Sequence, residues 1–318
     1  MKLVFLDRNS VGSDIDVSIF NKYGEMTIYG FTAPEEVHER ISGCDIVITN
    51  KAPMNEKTLK DTPVRLICLT ATGTNSVDLD HCKKEGIAVC NIKGYSTASV
   101  VQHTFALIFT LWERIPEFSS HTRAGRYIGD RTYSHYNYTF KEMAGKNFGI
   151  IGLGTIGSEV AKVAEVLGFN VYYWSSSGEN RSSRFTRLQL SELLSICDVI
   201  SINSPLTDKT CGLLGKKEFA LMKPGAFLIN TGRGAVIVED ELADAIERNI
   251  IGGAALDVLS QEPMAPDSPY KRVLDRPDFI LTPHVAWAAV EARQRCLYEI
   301  CLNIDSWLDG GSRNRSEI

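Results

Sequence analysis

Gly149-Ile150-Ile151-Gly152-Leu153-Gly154-Thr155-Ile156-Gly157 is an apolar run that becomes a G-x-G-x-x-G loop and then opens a helix. Each glycine has a separate task in that motif. Gly152 permits the tight turn, Gly154 lets backbone approach a pyrophosphate, and Gly157 lets the helix pack closely on the strand. The anion is expected at the helix N-terminus, where N–H groups have no partner within the helix. Leu153, Thr155 and Ile156 complete the expected cofactor-contacting turn. A glycine motif alone has little specificity, because a ligand-free turn can look the same. Here the strand-loop-helix context supplies what the motif lacks.

Outward from this loop, the pattern repeats. Phe148–Gly152, Asn170–Trp174, Val199–Ile202, Ala226–Asn230, Gly253–Asp257 and Phe279–Leu281 read as six strands. Helices such as Ile156–Leu167 and Glu239–Arg248 fill the gaps, which predicts a doubly wound sheet. Upstream, Leu3–Leu6, Ile46–Thr49, Leu66–Thr70 and Ala88–Asn91 read as strands alternating with helices at Ala33–Ile41 and Val77–Glu85. A long apolar helix is expected from about Ala98 to Trp112, ending before Pro116. Residues 121–140 show no clear period and read as an irregular crossover. One more amphipathic helix, 288–308, is expected to close the first sheet. The predicted fold class is therefore α/β, with two doubly wound, Rossmann-like domains. A nucleotide-binding domain, 101–285, is inserted into a substrate domain split between 1–100 and 286–318.

Composition excludes several partners. The 318 residues are 44% hydrophobic and 23% charged, with a net charge of −5. That balance implies no basic face, so neither nucleic acid nor anionic membrane is an expected partner. No run approaches a transmembrane span, and the N-terminus reads as a strand rather than a signal peptide. The eight cysteines form no Cys-x-x-Cys pair and no zinc spacing. Most sit in apolar runs, as packed thiols of a reducing cytoplasm do. No metal is expected.

The strand after the glycine loop ends at Ser175. A site made for NAD normally has Asp or Glu there to bind the ribose hydroxyls. This chain has Ser175-Ser176-Ser177, with Arg181 and Arg184 close behind. Without a carboxylate, a 2′-phosphate meets no repulsion, and an arginine can pair with it through two parallel hydrogen bonds. The alternative is a solvated loop whose arginines face water.

Three downstream segments carry groups for hydride chemistry: Asn230-Thr231-Gly232-Arg233-Gly234, Leu256–Pro263 and Leu281–Trp287. Each follows an apolar strand, at the sheet edge where such folds bind ligands. Reducing a 2-oxo acid needs a guanidinium to hold the carboxylate and polarise the ketone. It needs a proton donor that titrates in the right range, such as histidine. A carboxylate beside that histidine favours its charged form. Arg233, His284 and Glu262 supply these groups. Singly, each has a plain structural explanation, but the set in this order after a dinucleotide loop points to catalysis.

With these motifs in place, the chain resembles the D-isomer-specific 2-hydroxyacid dehydrogenase family along nearly its whole length. Gly145-Lys146, Ser204-Pro205-Leu206-Thr207 with Thr210, Thr231–Gly234, Gly253–Asp257, Glu262-Pro263 and Pro283-His284 fall where that family has its motifs. The resemblance implies Arg233 as substrate clamp, His284 as acid/base and Glu262 as its partner. It implies NAD or NADP as cofactor, with Pro205, Thr210, Thr231, Gly232 and Asp257 among its contacts and Asp257 and Thr231 by the nicotinamide. It assigns Thr72, Gly73 and Thr74 to a loop whose backbone N–H groups hold the substrate carboxylate. A Thr/Gly/Asn loop after a strand is compatible with that anion role, or with a simple turn. Asn91–Ser96, Val100–Leu107 and His284-Val285-Ala286-Trp287-Ala288 resemble the glycerate dehydrogenase (hydroxypyruvate reductase) branch. In that branch Trp287 near the pocket favours a short acid such as glyoxylate or hydroxypyruvate; the alternative is a packing role. The resemblance also implies a homodimer through the long helix and the 121–140 crossover.

Some residues depart from the family pattern. Asn203 stands where many relatives have histidine, and Ser175 replaces the usual acid. Lys51 is either a substrate contact or a solvated loop lysine, and His103, inside the long helix, is read as structural. Three alternatives remain. A formate dehydrogenase has glutamine in place of Glu262. A phosphoglycerate dehydrogenase often carries a regulatory domain, for which the chain is expected to have no room. A dinucleotide-sensing corepressor on the same fold usually carries extra tails, which are not expected here. Such a binding module can keep the same three residues, and turnover separates it from an enzyme.

Overall fold

In the computed structural model, residues 1–179 and 182–318 are described. The chain forms two compact units, Met1–Ser96 with Trp287–Ile318, and Thr97–Ala286. The first break falls where the long helix begins and the second just after the His284 loop. Each unit has its own core.

The first unit contains β1 (Lys2–Phe5), β2 (Glu25–Ile28), α1 (Val37–Ile41), β3 (Ile46–Thr49), α2 (Glu56–Leu59), β4 (Leu66–Leu69), α3 (Leu79–Glu85) and β5 (Ala88–Cys90). The strands pair in parallel in the order β2-β1-β3-β4-β5. Strand β2 has no apolar run and is largely exposed, which is why the sequence pattern did not reveal it. Side chains alternate between the two faces of the sheet. Leu3 and Phe5 lie on one face, in a core with Cys296, Ile300 and Ile304; Val4 and Leu6 lie on the other, with Val37 and Ile41.

The second unit opens with α4 (Thr97–Glu113) and α5 (Ile115–Arg123). It continues through β6 (Asn147–Ile151), α6 (Thr155–Val166), β7 (Asn170–Trp174), β8 (Thr186–Arg187), α7 (Leu190–Ile196), β9 (Val199–Ile202), α8 (Lys216–Leu221), β10 (Phe227–Asn230), α9 (Glu239–Glu247), β11 (Gly253–Leu256) and β12 (Phe279–Leu281). The chain then returns to the first unit as α10 (Val290–Leu308), which contributes Cys296, Leu297, Ile300, Cys301 and Ile304 to that core. The expected six strands are seven among the described residues, because two-residue β8 is too short to show a period. Helix α5 was also unexpected. Pro116 does follow the end of α4, but it sits in the first turn of a new helix, a position where proline's missing N–H costs nothing.

The second sheet is parallel in the order β12-β11-β10-β9-β6-β7-β8. The order reverses between β6 and β9, which makes the ends of these strands the ligand-binding position of the fold. One face packs under α4 and α6 through Phe105, Ile108, Val160 and Ala164, and the other under α7, α8 and α9 through Leu193, Phe219 and Leu242. No helix among the described residues is long and apolar enough to cross a membrane.

Candidate active site

The glycine loop has the geometry its sequence requires. Gly152 has φ +97°, and a Cβ there would lie 2.7 Å from the Ser204 backbone after β9. A Cβ on Gly157 would collide with the Gly152 carbonyl oxygen. A Cβ on Gly154 would meet nothing within 4 Å. The turn is thus closed on its strand side and open above Gly154, the N-cap of α6. Leu153 is buried, and Thr155 and Ile156 begin the helix. Beside the loop, Ser204 Oγ and Asn203 Oδ1 are buried with no hydrogen-bond partner among the described residues. Buried polar atoms normally find one. An open helix N-terminus flanked by two such atoms fits a dinucleotide phosphate.

Two expected contacts prove to be occupied locally. Thr210 is fully buried and donates its hydroxyl to Pro205 O at 2.7 Å while accepting from Thr207 N at 2.8 Å. It therefore closes the Pro205 loop on itself and presents no free hydroxyl to a cofactor. Arg184 pairs with Glu165 of α6 through Nη2 and through Nε at 3.2 Å. The Arg184 side chain is nonetheless 59% exposed, so this is a surface ion pair. Arg181 lies outside the described residues. Ser175 is 7% exposed, and its hydroxyl lies 2.9 Å from that of Ser177.

Arg233 follows β10. Buried Asn230 accepts from Gly232 N at 3.0 Å and donates to Arg233 O at 2.9 Å, closing the loop from both ends. Thr231 Oγ1 lies 3.0 Å from Thr104 Oγ1 of α4. A Cβ on Gly234 would overlap the Leu259 and Ser260 backbone, so the arginine loop lies directly on the segment that leads to Glu262. The Arg233 side chain is exposed, held by one bond from Nη1 to Gly232 O at 2.8 Å.

Glu262 and His284 meet. His284 Nδ1 lies 2.6 Å from Glu262 Oε2, and Leu259 N donates to Glu262 Oε1 at 3.1 Å. With Nδ1 turned to the carboxylate, Nε2 is the nitrogen left to face a substrate. His284 has φ +54°, a left-handed backbone that costs a non-glycine residue energy unless its surroundings impose it. Asp257 supplies that imposition. Its carbonyl accepts from His284 N at 2.9 Å, and its carboxylate accepts from Val285 N at 2.9 Å, Ala286 N at 2.8 Å and Thr282 Oγ1 at 2.6 Å. Asp257 is 1% exposed, and its hydrogen bonds point into this loop. His103 of α4 lies 3.1 Å from Thr282 Oγ1 and 3.5 Å from Asp257 Oδ1, which ties the helix to the loop. Asn230 and Asp257 are the positioning residues of the site. In sequence Asn230 was marked only as a polar residue closing an apolar strand, and Asp257 was expected by the nicotinamide rather than as a support for the His284 loop.

In the first unit, the loop after β4 is anchored by Asn91 Nδ2 donating to Thr72 O at 2.7 Å and by Val77 N donating to Thr74 O at 3.0 Å, with Gly73 between. Buried Asp7 accepts from Asn50 N and from Lys51 N, both at 2.8 Å, leaving the Lys51 side chain exposed. Trp287 packs edge-on to Tyr95, with ring centroids 6.2 Å apart, and borders the first unit's core.

Comparison with known proteins agrees with this geometry. The family model described as "D-isomer specific 2-hydroxyacid dehydrogenase, NAD binding domain" matches residues 105–286. A hydroxypyruvate reductase of Blautia hydrogenotrophica is 36% identical over 99% of both chains. A glycerate dehydrogenase of Methylorubrum extorquens is 37% identical over 98% of both. Among solved structures, an acyclic imino acid reductase in complex with NADPH and D-Arg superposes with a TM-score of 0.87 at 29% identity, covering 99% of this chain and 100% of that one.

Proposed function

This chain belongs to the D-isomer specific 2-hydroxyacid dehydrogenases, and from that premise we propose that it reduces a short 2-oxo acid of the glyoxylate or hydroxypyruvate kind to the D-2-hydroxy acid. The observation that carries this reading is the 2.6 Å His284–Glu262 pair beside a guanidinium loop that packs on the same segment. The bound nicotinamide supplies the hydride. The Arg233 fork takes the substrate carboxylate and draws charge from the ketone. The His284 imidazolium gives its Nε2 proton to the developing alkoxide, and in oxidation the neutral ring takes that proton back. Glu262 keeps the ring turned so that Nε2 faces outward. The backbone of Thr72-Gly73-Thr74 is assigned to the carboxylate, and Trp287 to limiting substrate size. Leu153–Gly157, Ser175, Pro205, Thr231 and Gly232 are assigned to the cofactor.

NADPH is accepted at least as well as NADH, since Ser175 presents no carboxylate to its extra phosphate. The protein works as a cytoplasmic homodimer. All eight cysteines are free, as in a reducing compartment. Ile128, Tyr133 and Tyr136 after α5 are 86%, 90% and 74% exposed, an apolar surface that a second copy would cover. Sedimentation tests the dimer. The activity is tested by following NADH and NADPH oxidation with glyoxylate, hydroxypyruvate, pyruvate and phenylpyruvate. Turnover is expected to be fastest with the first two. No turnover with any of them would leave a dinucleotide-binding module instead.

A further inference from the structure

Among the described residues, Arg187 has no ion pair like the one that Arg184 makes with Glu165. It lies on edge strand β8, opposite Tyr173 in register. Its residue is only partly exposed, and its Nε is buried with no hydrogen-bond partner among the described residues. Leaving a buried donor of a charged group unpaired is unfavourable. The guanidinium lies against the turn that ends β7, because a Cβ on Gly178 would sit 3.8 Å from Arg187 Nη2. That turn is Ser175-Ser176-Ser177-Gly178, closed by Gly178 N donating to Ser175 O at 3.1 Å. It carries three hydroxyls and no carboxylate. In this fold the end of the second strand is where the adenosine ribose binds.

We propose that Arg187 determines cofactor specificity, its guanidinium and the Ser175–Gly178 turn forming a subsite for a phosphate monoester on the adenosine ribose. The inference rests on the dehydrogenase reading above and names the residue that would read the 2′-phosphate of NADPH. A phosphate dianion offers three acceptor oxygens, and a guanidinium meets two of them with parallel N–H groups. A serine turn adds hydroxyl donors without repulsion. The competing role for Arg187 is packing, with its aliphatic stem covering the sheet edge.

Titration calorimetry with adenosine 2′,5′-bisphosphate and 5′-AMP separates the two roles. The native protein is expected to favour the bisphosphate by about 10-fold or more, the worth of a charge-assisted pair. Arg187→Leu should lose most of that preference while binding 5′-AMP within about twofold of native. Arg187→Lys, which keeps the charge and loses the fork, should fall between them. Arg184→Ala should keep the native preference. A preference that survives Arg187→Leu overturns the assignment to Arg187, as does a variant that weakens both nucleotides equally. A native protein that binds both nucleotides alike overturns the phosphate subsite, while binding of neither removes the dehydrogenase reading itself.

Discussion

At the scale of single residues, chemistry and support divide between two kinds of side chain. Arg233, Glu262 and His284 were legible in sequence because each is a reactive type placed just after an apolar strand. The positioning roles of Asn230 and Asp257 were not, because both act through hydrogen bonds to backbone that only the folded loop brings near. The commitment of Arg184 to Glu165 is a contact across 19 positions that local reading cannot see. Two substitutions test the reactive set. His284→Ala should lower turnover by about 100-fold or more, the scale of a lost general acid, with cofactor binding retained. Near-normal turnover in that variant would remove His284 from the mechanism. Arg233→Lys keeps the charge but not the planar fork, so KM should rise and kcat fall together. If steady-state kinetics leave both within about twofold, Arg233 is not the clamp.

At the scale of elements, buried parallel strands and long helices announced themselves by apolar runs, whereas edge pieces did not. Strands β2 and β8 lie at the ends of their sheets, where little apolar surface is needed. The C-terminal tail is another edge piece. Ser316 N donates to Val89 O at 2.9 Å, and the Glu317 carboxylate accepts from Val89 N at 2.9 Å, which fastens the tail to β5. Burial raises the pKa of Glu317, but its bonds to Arg315, to its own backbone amide and to the Val89 amide outweigh that and hold it below the usual glutamate range. A carboxyl depressed in the fold stabilises it above the ordinary glutamate pKa and loses that contribution as pH falls through the depressed value. Glu317→Gln should therefore cost about 1 kcal/mol at neutral pH, the difference between a charged and a neutral acceptor. In urea melts from pH 7 downward, the gap between native and variant should close with acidification. A gap that stays constant would show that the charge of Glu317 does not hold the tail.

At the scale of the whole molecule, the two-unit division and the parallel sheets followed from alternation of strands and helices, while the boundary at Thr97 depended on where α4 begins. Cysteine accessibility tests how tightly both cores are closed. Seven of the eight cysteines are buried and Cys211 is exposed. Burial pushes the thiols of Cys197 and Cys296 up to about 12, and those of Cys82 and Cys90 up to about 11. A thiol reagent at pH 8 should label one cysteine in the folded protein and all eight in denaturant. Rapid labelling of several in the folded protein would mean that the cores open readily. The most direct test of the central claim is chiral analysis of the product when purified protein, hydroxypyruvate and NADH or NADPH are mixed. The account predicts D-glycerate formed mole for mole with the dinucleotide oxidised. L-glycerate, a racemate, or dinucleotide left unconsumed would contradict it.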